Sequence, residues 1–361
     1  MSSKKLKMLP VEYLWDGLVL SDDLFNYAGK VMLLPKGETV TKAKLNKLMG
    51  FYGENKNVMV YEDTYLEIMM DAHTPQDVRQ RATEQNAGYT RLHQNLGNLF
   101  QRTDYEGWLS NERMKPLIKE VASKLDHFDP ATILSCINFP RPMDEGLQRH
   151  SLNVAFLNGM QAEWLHLPKE EVHTLVLAGL LHDIGKTMIP EEILNAPRRL
   201  TQEEMEIMRM HPVYSDELLK DKFDDSVRQA ARHHHEKLSG MGYPDGIAGD
   251  EIELCARITA ISDIYDAMVS ARSYKQAKLP LNVFDMFYTE EFEGLDRSLV
   301  IQFLKNMREN YTDKQVVMSD GRRGKILYIP LNDADHPIIE QGDDIRQTDE
   351  EWYCKEILSV F

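Results

Sequence analysis

The sequence has too few cysteines for a disulfide framework. Cys136, Cys255 and Cys354 stand singly, with no CxxC pair among them; this argues against a zinc-thiolate site and agrees with a reducing cytoplasm. A long apolar run is also missing. The stretch around Val172 to Leu181 reaches about half of the roughly 20 residues that a membrane-spanning helix needs, so no membrane span is expected. Lys4, Lys5 and Lys7 precede apolar residues, but Glu12 and Asp16 break that run before it could become the uncharged core of a signal peptide. Positive charge is short as well: 42 Lys and Arg oppose 58 Asp and Glu, a net charge of −16. That balance argues against nucleic acid as a partner held on a broad basic face, and any anionic substrate must be met by local positive charge. No repeat of about 20 to 50 residues is apparent.

What remains is an ordinary globular composition, 42% hydrophobic and 28% charged, over 361 residues, long enough for two or three domains. Residues 11–63 alternate β-like runs with turn residues: Gly17 to Leu20, then Lys30 to Leu34 closed by Pro35 and Gly37, a helix capped by Thr41 and running through Phe51, and a strand from Asn57 to Tyr61. This predicts a small α/β amino-terminal domain over residues 1–72, open to a regulatory role. Residues 73–130 turn polar and helix-favouring around Leu92, Leu96 and Leu99. They read as a helical connector that either packs within the chain or pairs with its copy in a homodimer. After Pro130, helical patterns follow one another, among them the capping box Thr201-Gln202-Glu203-Glu204 that opens a helix to Met210. From Gln315, the glycines 321, 324 and 342 punctuate Lys325 to Ile329 and Ile338-Ile339, which predicts a small β appendage. The fold class is therefore mostly α.

Twelve histidines are spread over the chain, yet the informative ones fall between His150 and Asp263. Leu180-Leu181-His182-Asp183-Ile184-Gly185-Lys186 reads as an apolar helix that ends in His-Asp and turns at a glycine C-cap. A neutral imidazole beside a carboxylate suits a divalent metal, and a carboxylate has two oxygens with which to bridge two ions; Asp183 could equally satisfy a turn amide. His233-His234-His235 would project about 100° apart on a helix, so that one of the three is a bystander. The run Gly240-Met241-Gly242-Tyr243-Pro244 offers a backbone able to lie close to a ligand and an aromatic ring to pack on it, or simply a turn. On a helix around Arg257 to Ala267, positions 256, 260, 263 and 267 share a face, so Asp263 points inward and is costly there unless paired or metal-bound. Asp266 is expected to bond within the protein. His73, His93, His127, His166, His173 and His336 are assigned core or surface roles.

The ordered set His150, His182-Asp183 with Lys186, His211, His234-His235-Glu236, Gly242-Tyr243-Pro244 and Asp263 resembles the motif set of the HD-GYP family of cyclic dinucleotide phosphodiesterases, within the HD superfamily of metal-dependent phosphohydrolases. The resemblance runs from about Ala131 to Leu281 and includes Arg272 and Lys275, which look like that family's trailing Arg-x-x-Lys. It implies an HD-GYP-type helical catalytic domain over residues 131–290, with a carboxy-terminal helix and the β appendage over 291–361. It also implies that His150, His182, Asp183 and Asp263 hold one ion while Asp183 bridges to a second held by His211, His234 and His235, which leaves His233 outside. Lys186, Arg272 and Lys275, with the Gly242-Tyr243-Pro244 loop, would face the substrate.

Two divalent transition-metal ions are thus expected, iron or manganese ahead of nickel or zinc. Some members add a third ion through a Glu four residues before the first His. That position is Gly146 here, and Glu145 would lie about 140° around a helix from His150, so a third ion is left in doubt. The implied activity is hydrolysis of cyclic di-GMP to pGpG, GMP or both by a metal-bridged hydroxide, with Asp183 and Lys186 at the reacting centre. Another cyclic dinucleotide such as cyclic GMP-AMP, or a catalytically silent receptor, are the alternatives. A signalling-protein partner or a homodimer fits the amino-terminal segments.

Overall fold

The computed structural model describes residues 6–10, 19–25, 32–41, 44, 57–61, 88–96, 111–127, 130, 133–134, 137, 146–196, 198–269, 279–288 and 294–357. In the amino-terminal segment, β1 (Leu6–Pro10) pairs antiparallel with β4 (Asn57–Tyr61), and β2 (Leu24–Phe25) pairs with β3 (Met32–Leu34). The strands expected at Lys30 to Leu34 and Asn57 to Tyr61 are therefore formed, the first from Met32. The helix expected from Thr41 through Phe51 lies, apart from residues 41 and 44, outside the described residues.

Helix α1 covers 88–96, and α2 is Asn111–His127. Both sink apolar residues into the main core: Leu92 and Leu96 from α1, and Leu117, Val121 and Leu125 from α2. The expected connector is thus part of the same packed body as the motif-bearing helices. That body is built on α3 (Gly146–Trp164) and α4 (Lys169–Leu181), which run antiparallel and are joined across Pro168. Their backbones touch because small residues face each other. A Cβ on Gly179 would lie 2.5 Å from the Ala155 Cα, far inside van der Waals contact. Asn158 donates its amide nitrogen to the Leu175 carbonyl at 3.0 Å and to the Thr259 hydroxyl at 2.9 Å, which ties α3 to both neighbours.

Short elements follow: a 3-10 turn over Ile184–Met188, α5 (Glu191–Leu194) and α6 (Gln202–Met208). The expected capping box is present, with Thr201 accepting from the Glu204 amide and Glu204 accepting from the Thr201 amide. The helix ends at Met208 rather than Met210, where the Met210 amide bonds to the Ile207 carbonyl three residues behind and tightens the last turn. Then come α7 (His211–Leu219), α8 (Asp225–His233), α9 (Leu254–Val269), α10 (Pro280–Tyr288) and α11 (Arg297–Tyr311). Asp296 caps α11 by accepting from the Ser298 and Leu299 amides. Tyr265 of α9 is wholly buried against Phe303 of α11.

The chain ends in an antiparallel five-stranded sheet of order β8-β7-β6-β5-β9, built from β5 (Gln315–Met318), β6 (Arg323–Tyr328), β7 (Ile338–Gln341), β8 (Asp344–Gln347) and β9 (Cys354–Ile357). Val316, Met318, Ile326 and Ile339 point into the same apolar cluster as the helices. The β appendage expected from the turn residues is therefore a packed cover rather than a separate lobe.

The α3–α4 contact sets the spacing of the site, because His150 stands near one end of α3 and His182 follows the last turn of α4. Gly179→Ala is expected to force the two helices apart. It should cost about 1–3 kcal/mol, as overpacking in a filled core does, read as a lower urea midpoint of the full chain.

Candidate metal centre

Five elements deliver side chains to one buried point: His150 from α3, His182 and Asp183 just past α4, His211 at the start of α7, His234 and His235 just past α8, and Asp263 from α9. Asp183 and His182 are wholly buried, and His150, His211, His234 and Asp263 are nearly so. Around one side, the His150 Nε2 lies 2.9 Å from Asp263 Oδ1, 3.3 Å from His182 Nε2 and 3.5 Å from Asp183 Oδ2. Around the other, Asp183 Oδ1 lies 3.1 Å from His211 Nε2 and 3.8 Å from His234 Nε2. The ligand atoms within His150, His182 and Asp183, and within His211, His234 and His235, all lie within 4.8 Å of one another. Asp183 thus shows one oxygen to each group.

The imidazoles are held from behind. Each of four rings places its Nδ1 on an acceptor: Asp266 Oδ2 at 2.7 Å for His150, and the carbonyls of Gly179 at 2.9 Å for His182, Met208 at 2.7 Å for His211 and Ala231 at 2.9 Å for His234. A carbonyl or carboxylate at Nδ1 requires the proton there, so in the neutral ring Nε2 turns a lone pair inward. Lone pairs then meet lone pairs. Asp183 Oδ1, His211 Nε2 and His234 Nε2 are fully buried yet have no hydrogen-bond partner, even where two of them lie 3.1 Å apart. A cation reconciles such atoms, and the donor set of imidazole and carboxylate suits a divalent transition metal. The residues present fit two ions.

The electrostatics agree. Burial alone would raise the Asp183 carboxyl, but the charge of Lys186 first, and then the neighbouring imidazoles of His182 and His211, hold it well below the usual carboxylate range. Burial is likewise outweighed at Asp263, where His150 is the main partner. Burial pulls His150 down, yet hydrogen bonds to Asp263 and Asp266 outweigh it and lift the ring to about 9, so without an ion this ring takes up a second proton on Nε2, the position a metal cation would take over. Burial drives His235 down to about 3 and His234 well below its ordinary value, which keeps both neutral and able to ligate.

Three local readings of the sequence are corrected by the backbone. The three consecutive histidines are not one helical run: α8 ends at His233, His234 is its cap, and His235 lies in the following turn. His234 and His235 lie with His211 in one cluster of ligand atoms, while His233 turns away to Asp245 Oδ2 at 2.8 Å. Gly185 is not a left-handed C-cap but sits inside the 3-10 turn. A Cβ there would lie 2.1 Å from the His211 carbonyl oxygen, so the glycine permits α7 to press against the His-Asp turn. Gly242 is likewise spent on the protein itself, since its Cβ would meet the Glu236 Cα at 2.4 Å.

That contact belongs to a clamp. Glu236 accepts from the Asp245 and Gly246 amides at 2.7 and 3.0 Å, and Arg232 grips both Asp245 oxygens at 2.6 and 2.8 Å. Arg232 and His233 hold the Asp245 carboxyl down at about 2. The clamped loop presents Tyr243, whose ring stacks on His235 at 4.7 Å between centroids and lies under the Arg209 guanidinium at 5.2 Å. Pro244 follows on the same loop. Lys186 hydrogen-bonds to Asp183 Oδ2 from the rim of the pocket. Arg272, Lys275 and Glu145 lie outside the described residues. The motifs did not single out Asn153, Arg209 or Asp245. Asn153, three residues beyond His150 and wholly buried, donates to Asp266, which bonds within the protein as expected.

A family model described as HD domain matches residues 117–299, half of the chain. The chain belongs to the HD domain family. This HD-domain chain is 42% identical over 137 residues to the cyclic di-GMP phosphodiesterase response regulator RpfG of Xanthomonas campestris, a match covering 37% of the chain and 36% of the relative. It is 37% identical over 165 residues to 3'3'-cGAMP-specific phosphodiesterase 1 of Vibrio cholerae, covering 45% and 38%. It spans little more than a third of the length of these curated relatives. In fold, it is similar to Bd1817, an HDG"Y"P protein from Bdellovibrio bacteriovorus, with a TM-score of 0.52 at 15% identity over 84% of this chain and 99% of that one.

The geometry separates the three histidines experimentally. His233→Ala should keep near-normal bound metal by elemental analysis, whereas His234→Ala and His235→Ala should each lose it. Asp183→Asn should strip the metal as well, since the amide keeps the shape but not the anion that two adjacent cations require.

Proposed function

We propose that this HD-domain protein is a metal-dependent phosphodiesterase that hydrolyses cyclic di-GMP to pGpG, GMP or both. The observation that carries the reading is the wholly buried Asp183 carboxylate, which offers one oxygen to each of two adjacent ligand groups. Two divalent ions, iron or manganese, held by His150, His182, Asp183 and Asp263 and by Asp183, His211, His234 and His235, would supply a water of lowered pKa and absorb negative charge on the phosphoryl oxygens. The protein does the positioning. Lys186 adds a positive charge at the edge of the pocket, beside the shared carboxylate. Tyr243 forms a flat wall next to His235, and Arg209 lies over it as a second cation on the exposed side. Arg272 and Lys275 complete the phosphate contacts in this reading. A chain of net charge −16 thus meets an anion through a few placed cations.

Cytoplasmic residence belongs to the same reading and is supported by the free, buried thiols of Cys255 and Cys354. Cyclic GMP-AMP is the second substrate reading, favoured by the 37% identity to a relative named for that nucleotide. A catalytically silent receptor is disfavoured by the complete set of seven converging ligands.

Chromatography of products decides among these. Protein purified without oxygen and loaded with iron or manganese should convert cyclic di-GMP to pGpG. Faster turnover of 3'3'-cyclic GMP-AMP would move the assignment to the second substrate, and full metal occupancy with no turnover of either would leave a receptor. The double variant Arg272→Ala/Lys275→Ala should raise the KM for cyclic di-GMP with metal content unchanged. Unchanged kinetics would assign both residues to the surface.

A further inference from the structure

His150 is the ligand with the longest supporting chain. Its Nδ1 meets Asp266 Oδ2 at 2.7 Å, Asp266 Oδ1 accepts from Asn153 Nδ2 at 2.7 Å, and Asn153 Oδ1 accepts from the Tyr89 hydroxyl. All four side chains are buried: Tyr89 is 1% exposed, Asn153 0%, Asp266 1% and His150 5%. The direction of every link is forced. Asp266 stands between the His150 ring nitrogen at Oδ2 and the Asn153 amide nitrogen at Oδ1, so both of its oxygens accept. The Asn153 amide must therefore turn its nitrogen toward Asp266, which leaves its oxygen needing a donor. The Tyr89 hydroxyl is that donor among the described residues. With its far end fixed in this way, Asp266 holds the proton of His150 on Nδ1 and the Nε2 lone pair toward the centre.

Tyr89 does not lie in the motif-bearing helices but on α1, over 88–96. Its ring stacks on Phe156 of α3 at 6.0 Å with 19° between planes, and Leu92 and Leu96 seat the rest of α1 in the core. We propose that Tyr89 is a positioning residue for the metal centre, acting through Asn153 and Asp266 to fix the orientation and tautomer of His150. Helix α1 thereby sets how well that ligand grips its ion. The inference rests on the reading of His150 as a ligand. Removing the hydroxyl would leave a buried Asn153 oxygen without a donor and make a flipped amide competitive, with the wrong group then facing Asp266.

The test is calorimetric titration of metal-free full-length protein with Mn2+ alone, together with thermal unfolding, for Tyr89→Phe, Asp266→Asn, their combination and Leu92→Ala. Asp266→Asn should weaken Mn2+ binding about 10- to 100-fold, as loss of a carboxylate behind a ligating histidine does. Tyr89→Phe, one link further out, should weaken it about 3- to 10-fold. The double variant should be no weaker than Asp266→Asn, because both act along one path. Leu92→Ala should lower the unfolding temperature and leave Mn2+ affinity intact. Wild-type affinity in Tyr89→Phe, equal weakening in Leu92→Ala, or a double variant in which the two losses multiply would each overturn the role of Tyr89. Wild-type affinity in Asp266→Asn would instead overturn His150 as a ligand.

Discussion

Asp183 has both carboxylate oxygens withdrawn from water and turned toward the Nε2 atoms of imidazoles whose Nδ1 protons are already engaged, with Lys186 reaching one oxygen from the side. In a low-dielectric interior such an arrangement repels itself, and ordinary protein cores avoid it. The surrounding structure is arranged to hold it. Pinning each ring by its Nδ1 keeps four histidines from relieving the tension by rotation, and packing α3 against α4 through Gly179 and Ala155 keeps their source helices from drifting apart. The candidate metal centre is in this sense a constraint on the whole helical body: each helix that brings a side chain to the cluster also contributes to the core that holds it there.

Much of this was legible in the sequence because metal ligation restricts residue type and order. His182-Asp183 after an apolar helix, and Asp263 on the apolar face of another, stand out since a buried ionisable side chain needs a partner. The supporting shell was less legible. Asn153 and Asp266 meet across 113 residues, and Tyr89 and Asn153 across 64, and no local periodicity encodes either meeting. Gly242 was recognisable as a point of close approach and Gly185 only as a helix stop, and what each approaches depended on tertiary structure: Gly185 accommodates the His211 carbonyl and Gly242 the Glu236 backbone. The β appendage could be read from its turns, whereas its union with the helical core could not, because the apolar faces of β5, β6 and β7 match any apolar surface.

The triple histidine shows how a small backbone event decides chemistry. Three consecutive residues on a regular helix diverge, so His233, His234 and His235 could not all face one site. The helix closes within this run, with His234 as its cap, and His233 faces Asp245. One helix terminus thereby divides three identical side chains between two tasks.

The clamp made by Glu236, Arg232 and Asp245 has a consequence for association. Because the loop bearing Tyr243 is tied to its own base by two backbone amides and a two-pronged ion pair, its conformational entropy is spent during folding. A ligand that stacks on this wall finds it already standing, and the free energy of contact is not drained by ordering the loop. This side of the cluster thus has its shape set by the fold alone.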